Sequence, residues 1–179
     1  MTTYDYTSDV FPGHDPFAIM KDVPLFELTS EDIEEGTELA SGLTGDNATS
    51  PQLAWSNVPE GTKSFAVTCF DPDAPTGAGF WHWAAFNIPA HTTQLPAGAG
   101  GLEDLGLGAT TLKGDSGQRG FYGANPPAGH TPHRYIFAVH ALDVETLDVA
   151  KDAAPTYLSF NLFSHTIGRG VVWGWYENK

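Results

Sequence analysis

The sequence has few positive charges. Its 179 residues include 8 Lys and Arg against 22 Asp and Glu, which gives a formal net charge of −14 at pH 7. Nucleic-acid binding depends on a basic surface that neutralises phosphates, and anionic membrane surfaces attract the same kind of basic segment. The composition therefore argues against both partners, and we expect no nucleic-acid complex and no stable membrane insertion.

Cysteine and long apolar runs are also scarce. Cys69 is the one cysteine, so no intrachain disulfide can form. No apolar run is long enough to span a bilayer, and residues 1–20 lack the cationic start and apolar block of a secretory signal. We therefore expect a cytoplasmic protein. The apolar run around Cys69 contains no cation that would lower the thiol pKa, which favours an inert buried thiol over a nucleophile.

Residues that form turns are abundant. The chain has 20 Gly and 13 Pro beside a hydrophobic fraction of 41%, a composition typical of a packed but loop-rich β protein. Short runs rich in apolar residues predict strands at 25–28, 51–55, 65–70, 81–88, 133–143 and 171–176. The strand at 133–143 is apolar on both faces, so we expect it to be covered on both sides. Alternation places His133 and Tyr135 on one face of that strand and His140 on the other.

One helix is predicted near the end of the chain. Pro155 suits its first turn, Phe160, Phe163 and Ile167 form an apolar stripe, and Gly168 is placed to end it. We predict a polar N-terminal arm over residues 1–22, partly ordered, and a single domain over 23–179. The fold class that follows is mainly β, an antiparallel β-sandwich with one helix in the C-terminal region and few other short helices.

The stretch DPDAPTG at residues 71–77 is the first of two that carry functional chemistry. It ends a predicted strand in two carboxylates, Asp71 and Asp73, and its prolines fix the backbone between and after them. The tetrapeptide FWHW at 80–83 follows at once and supplies His82 from the next strand. Two carboxylates at the end of one strand are thus followed closely by a histidine on the next.

The second stretch, YGANPPAGHTPHRY at residues 122–135, is a stiff loop rich in Pro and Gly that leads into a strand. It delivers His133 and Tyr135 to the start of that strand. Imidazole and phenol groups can donate hydrogen bonds to an anion. Asp71 is better suited to accept an imidazole N–H than to face a phosphate, unless it meets the ammonium of an ethanolamine group.

Together and in this order, the two stretches closely resemble the phosphatidylethanolamine-binding protein family, which includes Raf kinase inhibitor protein, and its bacterial branch in particular. The resemblance extends from about residue 25 to about residue 176. It implies the β-sandwich of that family, with a small pocket for phosphate-like head groups or anions such as acetate. The ligand-binding residues that it implies are Asp71, Asp73, His82, Pro126, His133 and Tyr135. Rim or supporting roles fall to Trp81, Trp83, Phe121, Asn125, His130 and Arg134.

The function implied is that of a binding protein for a small anionic or phosphorylated ligand, with no catalysis, no cofactor and no metal. Family analogy adds a protein partner such as a kinase or protease, and the bacterial members suggest a homodimer. Two departures from the family pattern stand out. Asn125 precedes Pro126 where the family often has a small residue, which narrows the mouth. The chain also ends soon after its last predicted strand, where the animal members continue in a helix, and this argues against their kinase-regulating role.

Two enzymatic hypotheses remain open at the level of sequence. Three histidines (His82, His130 and His133) with Asp71 are ligand types that suit Zn or Fe in a cupin-like oxygenase or hydrolase, although the HxH spacing usual for such sites is absent. A hydrolase could instead use His and Asp as acid and base, but no GxSxG motif or activated Ser or Cys accompanies them. Arg134 is expected to form a buried ion pair with Asp71 or Asp73.

Overall fold

Two antiparallel sheets form the frame of the molecule. The structure, a computed structural model, describes residues 11–179. Its strands are β1 (Glu27–Thr29), β2 (Leu53–Ser56), β3 (Ser64–Asp71), β4 (Phe80–Pro89), β5 (Gln94–Leu95), β6 (Thr110–Thr111), β7 (His133–Leu142) and β8 (Thr166–Tyr176), with helix α1 (Pro155–His165) before β8 and 3-10 turns at Ser41–Leu43 and Ala99–Gly101. The small sheet has the order β1-β2-β5 and the large sheet β6-β4-β3-β7-β8. The predicted mainly β, antiparallel fold is confirmed.

The large sheet is buried on both of its faces. Every residue of β7 is buried, as the apolar pattern on both sides of that strand predicts. The inner face packs against the small sheet in one core cluster that includes Val67, Cys69, Phe137 and Val139. The outer face carries α1, whose Leu158 and Leu162 pack with residues of β3, β4 and β7. Alternate side chains of each central strand therefore pack either in the core between the two sheets or on the outer face beneath α1.

Glycines in β8 allow the small sheet to approach the large one closely. A Cβ at Gly170 would lie 2.7 Å from Cε2 of Phe26 and 2.8 Å from Cβ of Leu28. Since real Cβ atoms do not make contacts this short, β1 can pack here only against a residue without a side chain. This part of the sandwich depends on the glycine.

The apolar stripe predicted for α1 is wrong. The residues of the helix that face the core are Leu158 and Leu162, both nearly inaccessible, whereas Phe160 is 72% and Phe163 49% exposed. Hydrophobic residues occupy both sides of this helix, so spacing alone does not decide which side is buried. The helix packs through the i, i+4 pair of leucines, and its aromatic side faces outward.

The predicted end of the helix is also wrong. The helix ends at His165, and β8 begins at once at Thr166, which pairs with Leu142 of β7. Ile167 and Gly168 therefore belong to the final strand, which starts five residues before the predicted position at 171. Gly168 does not cap a helix; it lies where a Cβ would be 2.5 Å from Cγ of Pro59.

Residues 11–20 cross the outer face of the large sheet. Residues 1–10 of the predicted arm lie outside the described residues. The backbone N–H of Gly13 donates to Oδ1 of Asp73 at 2.7 Å, and Phe17 lies against the ring of His140 and under the guanidinium of Arg169. In the part of the chain that the structure describes, no helix combines the length and apolar character needed to cross a membrane.

Candidate functional site

Asp71 and His133 form a buried pair at one end of the sandwich. Asp71 is the last residue of β3 and His133 the first of β7, and antiparallel pairing of these strands brings the two side chains to the same end of the inner face. His133 Nδ1–H donates to Oδ2 of Asp71 at 2.7 Å. The other carboxylate oxygen accepts the backbone N–H of Asp73 at 2.8 Å. Asp71 thus fixes both the ring of His133 and the turn that follows β3.

A β-bulge brings His82 to the same cluster. Cys69 pairs with Trp83 and Phe70 pairs with Trp81, so His82 is an extra residue on β4. Its ring lies 5.0 Å from the ring of Tyr135, measured between centroids, in an edge-on contact. The bulge therefore places His82 on the inner face, next to residues delivered by β7.

The tautomer of His82 is fixed by the loop before β7. Nδ1 lies 2.8 Å from the carbonyl oxygen of Tyr122, which can only accept, so Nδ1 carries the proton. Burial lowers the pKa of His82 below its ordinary value and outweighs the Tyr122 hydrogen bond and the charges of Asp71 and Asp115, which raise it. The neutral ring then presents Nε2 as an acceptor. Tyr122 was not among the predicted site residues, yet its ring also stacks on His82 at 5.7 Å.

The phenol of Tyr135 is buried without a hydrogen bond. It has no partner of acceptable geometry among residues 11–179, although the main chain of Asn125 lies beside it. Burial, followed by the charge of Asp71, raises the pKa of the phenol far above its ordinary value, so the group is a donor. A buried hydroxyl without a partner costs about 1–3 kcal/mol. The phenol is therefore able to donate a hydrogen bond to a ligand or a water molecule.

Four of the six predicted ligand contacts come together in this way: Asp71, His82, His133 and Tyr135, each 1–4% exposed. We call them the anion cluster, after the ligand that the resemblance implies for them. Phe80, which packs on His82 at 4.9 Å, and Tyr122 are both partly exposed beside it. The cluster is therefore buried, and the partly exposed rings of Phe80 and Tyr122 are its nearest described link to the surface.

The carboxylate of Asp73, which was predicted to contact the ligand, is bound by Arg134 and Gly13. Both of its oxygens accept from Arg134, and Oδ1 also accepts the N–H of Gly13. Burial alone would raise the pKa of Asp73, but the hydrogen bonds and charge of Arg134 hold it below its ordinary value. The expected ion pair of Arg134 is thus present with Asp73. This carboxylate positions the loop after β3, and its lone pairs are taken by the protein.

The predicted rim residues occupy several environments. Asn125 is exposed and Pro126 buried in the loop before β7, close to the cluster. Trp83 is completely buried in the core, where Phe121 packs against it at 6.0 Å. Trp81 lies against Phe70 at 4.5 Å, on the outer face of the sheet and away from the cluster.

His130 forms a hydrogen bond with Nε2 of His133. Its Nδ1 lies 2.7 Å from Nε2 of His133, so one of the two rings donates to the other. Because His133 Nδ1 is bound to Asp71, both nitrogens of His133 are engaged within the protein. Among the described residues, no three His, Cys, Asp or Glu side chains are arranged to hold a metal ion, which leaves the metal-dependent hypothesis without support.

Comparison with known proteins shows the family of the chain. The family model described as phosphatidylethanolamine-binding protein matches residues 29–177. The protein YbhB of Escherichia coli K12 is 48% identical over 154 residues, which is 82% of this chain and 96% of that protein. YbcL of the same strain is 44% identical over 163 residues, or 86% of this chain and 88% of that protein.

Solved structures agree with the sequence match. The crystal structure of E. coli YbcL, described as a new member of the mammalian PEBP family, is similar with a TM-score of 0.81 at 43% identity, over 86% of this chain and 99% of that one. A PEBP homologue from Chlamydia trachomatis gives a TM-score of 0.73 at 26% identity, over 87% of this chain and 99% of that one. The chain therefore belongs to the phosphatidylethanolamine-binding protein family, in its bacterial branch.

Proposed function

We propose that the anion cluster binds a small anionic or phosphorylated group, and that the protein acts by capturing this ligand without chemical conversion. The observation that carries the proposal is the phenol of Tyr135, which is buried, protonated and without a hydrogen-bond partner in the described chain. A ligand oxygen that accepts from this phenol would remove the cost of leaving it unpaired.

His82 supplies a second group next to the phenol. With Nδ1 bound to the Tyr122 carbonyl, Nε2 remains to contact a ligand. A protonated phosphate oxygen can donate to the neutral ring, and a fully ionised oxygen can accept from the ring once it gains a proton. The cluster is thus suited to anions that carry or recruit a proton.

The negative charge of Asp71 would determine the orientation of a ligand that carries both a phosphate and an ammonium group. Its carboxylate repels a bare anion but is bound by His133, which leaves the phenol and His82 as the side that meets negative charge. The family is named for phosphatidylethanolamine, whose head group joins a phosphate to an ammonium. An ammonium near Asp71 and a phosphate near Tyr135 would match this separation of charges.

The same geometry supports binding over catalysis. Cys69 is completely buried in the sheet, and burial followed by the charge of Asp71 raises the pKa of its thiol well above the ordinary value. Two charge-assisted hydrogen bonds of about 1.5–3 kcal/mol each, less the cost of association, correspond to weak, millimolar-range binding of an isolated head group. Tighter binding would need apolar contact with Phe80 or Tyr122.

The proposal is tested by following amide shifts in an NMR titration with inorganic phosphate and, separately, phosphoethanolamine. The wild-type protein is compared with Tyr135→Phe, which removes the phenol oxygen alone, and with the matched control Tyr157→Phe on the exposed side of α1. We expect saturable shifts around residues 82 and 122–135, and a Kd about tenfold or more higher in Tyr135→Phe only. Tighter binding of phosphoethanolamine than phosphate would assign the ammonium to Asp71. Equal Kd values for both tyrosine variants would contradict the proposal.

A further inference from the structure

A second cavity lies on the other face of the same strands. It has a volume of about 810 Å³, is partly open to solvent, and is lined by residues from the segment 12–20, the loop after β3, the outer face of β3 and β7, the loop before β7, and α1. This volume falls within the range of pockets that hold small molecules, about 300–1,000 Å³. Neither His82, His133 nor Tyr135 lines it. We call it the outer cavity; its lining includes His130, whose Nδ1 lies 2.7 Å from Nε2 of His133, but none of the four residues of the anion cluster.

The wall of the outer cavity is mostly apolar. Apolar side chains reach it from the arm, from β3, from β7 and from α1: Phe17, Ile19, Met20, Phe70, Ile136 and Leu162. Four of these remain partly or largely accessible, although they surround a concave space. Apolar surface that the fold leaves accessible in a concavity favours a ligand that removes it from water.

One ring nitrogen of a buried histidine in this wall lacks a hydrogen-bond partner. His140 is 2% exposed, and its Nε2 lies 3.3 Å from Oγ1 of Thr68, which also lines the cavity. Its Nδ1 makes no hydrogen bond with any part of the chain that the structure describes. Either tautomer is open to His140, because the Thr68 hydroxyl can donate or accept. The unused nitrogen is an acceptor in one tautomer and a donor in the other.

Besides His140, the titratable side chains in the described lining are His14, His130 and Asp73, and no Lys or Arg lines the cavity. Burial, and then the charge of Arg169, lowers the pKa of His140 well below its ordinary value, so the ring is neutral. Asp73 is the one carboxylate among the described residues of the lining, and Arg134 and Gly13 occupy its oxygens. An anionic ligand would lose part of its hydration here without meeting a Lys or Arg side chain, and a cationic ligand would meet a carboxylate that is already paired.

We propose that the outer cavity binds an uncharged, largely apolar small molecule that carries a hydroxyl group, with the hydroxyl hydrogen-bonded to Nδ1 of His140. A hydroxyl can donate to this nitrogen or accept from it, so it satisfies either tautomer. The apolar body of the ligand covers Phe17, Met20 and Ile136. This site is independent of the proposed function and does not use any residue of the anion cluster.

Residues 12–20 form the lid of the site. Oδ1 of Asp73 accepts the N–H of Gly13 at 2.7 Å, and the Gly13 carbonyl accepts from Nη2 of Arg134 at 2.7 Å. Phe17 lies 6.3 Å from the ring of His140 and directly beneath Arg169. A ligand under Phe17 therefore contacts a segment that is attached to the sheet at Gly13.

The test uses 2-naphthol as the probe and follows amide shifts of the full-length protein by NMR. Naphthalene, without the hydroxyl, and 2-naphthoate, with a carboxylate in its place, are titrated in parallel. We expect saturable shifts in residues 12–20 and around His140, and binding of 2-naphthoate at least tenfold weaker than that of 2-naphthol. His140→Phe keeps a ring of similar size and should weaken 2-naphthol about tenfold while leaving naphthalene within about twofold.

A matched pair of serines on α1 tests the location. Ser159 lines the cavity, whereas Ser164 lies exposed on the same helix. Ser159→Phe should weaken binding of 2-naphthol and naphthalene at least tenfold, and Ser164→Phe should leave both unchanged. The absence of saturable binding, shifts confined to the region of His82, or equal effects from the two serine variants would overturn the proposal. An unchanged Kd for 2-naphthol in His140→Phe, with the variant folded by its amide spectrum, would overturn the role of the imidazole.

Discussion

The carboxylate of Asp73 accepts three hydrogen bonds from Arg134, through the backbone N–H, Nε and Nη2, each 2.8 Å long. The side chains of both residues are completely buried. This pair joins the loop after β3 to the start of β7, and so holds together the two stretches of sequence that build the anion cluster. A bidentate guanidinium–carboxylate pair of this kind fixes orientation as well as distance.

Replacing Asp73 by Asn should destabilise the protein by about 3–5 kcal/mol, because it leaves the buried charge of Arg134 without its counterion. Urea unfolding at pH 7 measures the change. Asp152→Asn is the matched control, since Asp152 pairs with Arg119 at 3.0 Å but is 69% exposed. Exposed pairs contribute little, so the control should cost less than about 1 kcal/mol. Equal losses of unfolding free energy in the two variants would show that the buried ion pair stabilises the protein no more than the exposed one.

Tyr135→Phe should make the free protein more stable while it weakens anion binding. The phenol oxygen is buried without a partner among residues 11–179, and its removal relieves an unpaired polar group. We expect a gain of about 1 kcal/mol in the free energy of unfolding in the absence of anions. Urea unfolding in an anion-poor buffer measures this gain. A loss of stability would mean that the phenol has a partner in the free protein.

Acetate affinity should fall as pH rises. The pKa of His82 lies below 6.5 in the free protein, chiefly through burial, and an anion at Nε2 raises it in the complex. Binding therefore takes up a proton, and affinity declines between the pKa of the free protein and that of the complex, by up to about tenfold per pH unit. Acetate stays ionised over about pH 5.5–8, which isolates the contribution of the protein.

His82→Gln provides the comparison for this pH series. The Gln amide can still donate to the Tyr122 carbonyl but does not titrate, so its acetate affinity should be independent of pH in the same interval. Isothermal calorimetry in buffers of different ionisation enthalpy reports the proton uptake directly. A pH-independent affinity in the wild-type protein would contradict the assignment of His82 as the group that recruits a proton.

His140 should make the protein sensitive to acid. Its pKa in the folded state lies well below that of the unfolded chain, about 6.5, because burial and Arg169 disfavour the charged ring. Below pH 6.5 the unfolded chain binds a proton that the folded protein excludes, so stability falls by about 1.4 kcal/mol per pH unit. His140→Phe removes this dependence. The difference in unfolding free energy between wild type and variant should change by up to about 2 kcal/mol from pH 7 to pH 5, in favour of the variant. A constant difference would contradict the neutral, buried state of the ring.

The central strands could be predicted from sequence because their apolar composition and their length favour a buried strand over a helix. The apolar character of β7 on both faces predicts its burial on both sides, and strict alternation separates His140 from His133 and Tyr135 correctly. The pairing of Arg134 with a neighbouring carboxylate was also predictable, since a buried guanidinium requires one. The burial and the alternation depend on local pattern alone, and the ion pair follows from the need of a buried cation for a counterion.

Other features depend on contacts between distant segments. The orientation of His82 comes from a bulge in β4 that alternation along the strand does not reveal. The role of Asp73 follows from where Arg134 and Gly13 meet it, and a carboxylate in a turn is equally compatible with ligand contact. The outer cavity is formed when the arm crosses the sheet, so no single segment carries a signal for it.

The alternation along β7 has a consequence for how the chain can change. His133 and Tyr135 lie on the inner face of the sheet, and Ile136 and His140 lie on the outer face. The alternation of side chains along a single strand therefore determines which residues line both sites. One residue inserted between Tyr135 and His140 would leave the imidazole–carboxylate pair at the strand's start untouched and rotate His140 into the interior of the sandwich. The same insertion, placed before Phe137, would turn Phe137, Val139 and Ala141 out of the core between the sheets, so a shift of this strand cannot alter the outer cavity without disrupting the core next to the anion cluster.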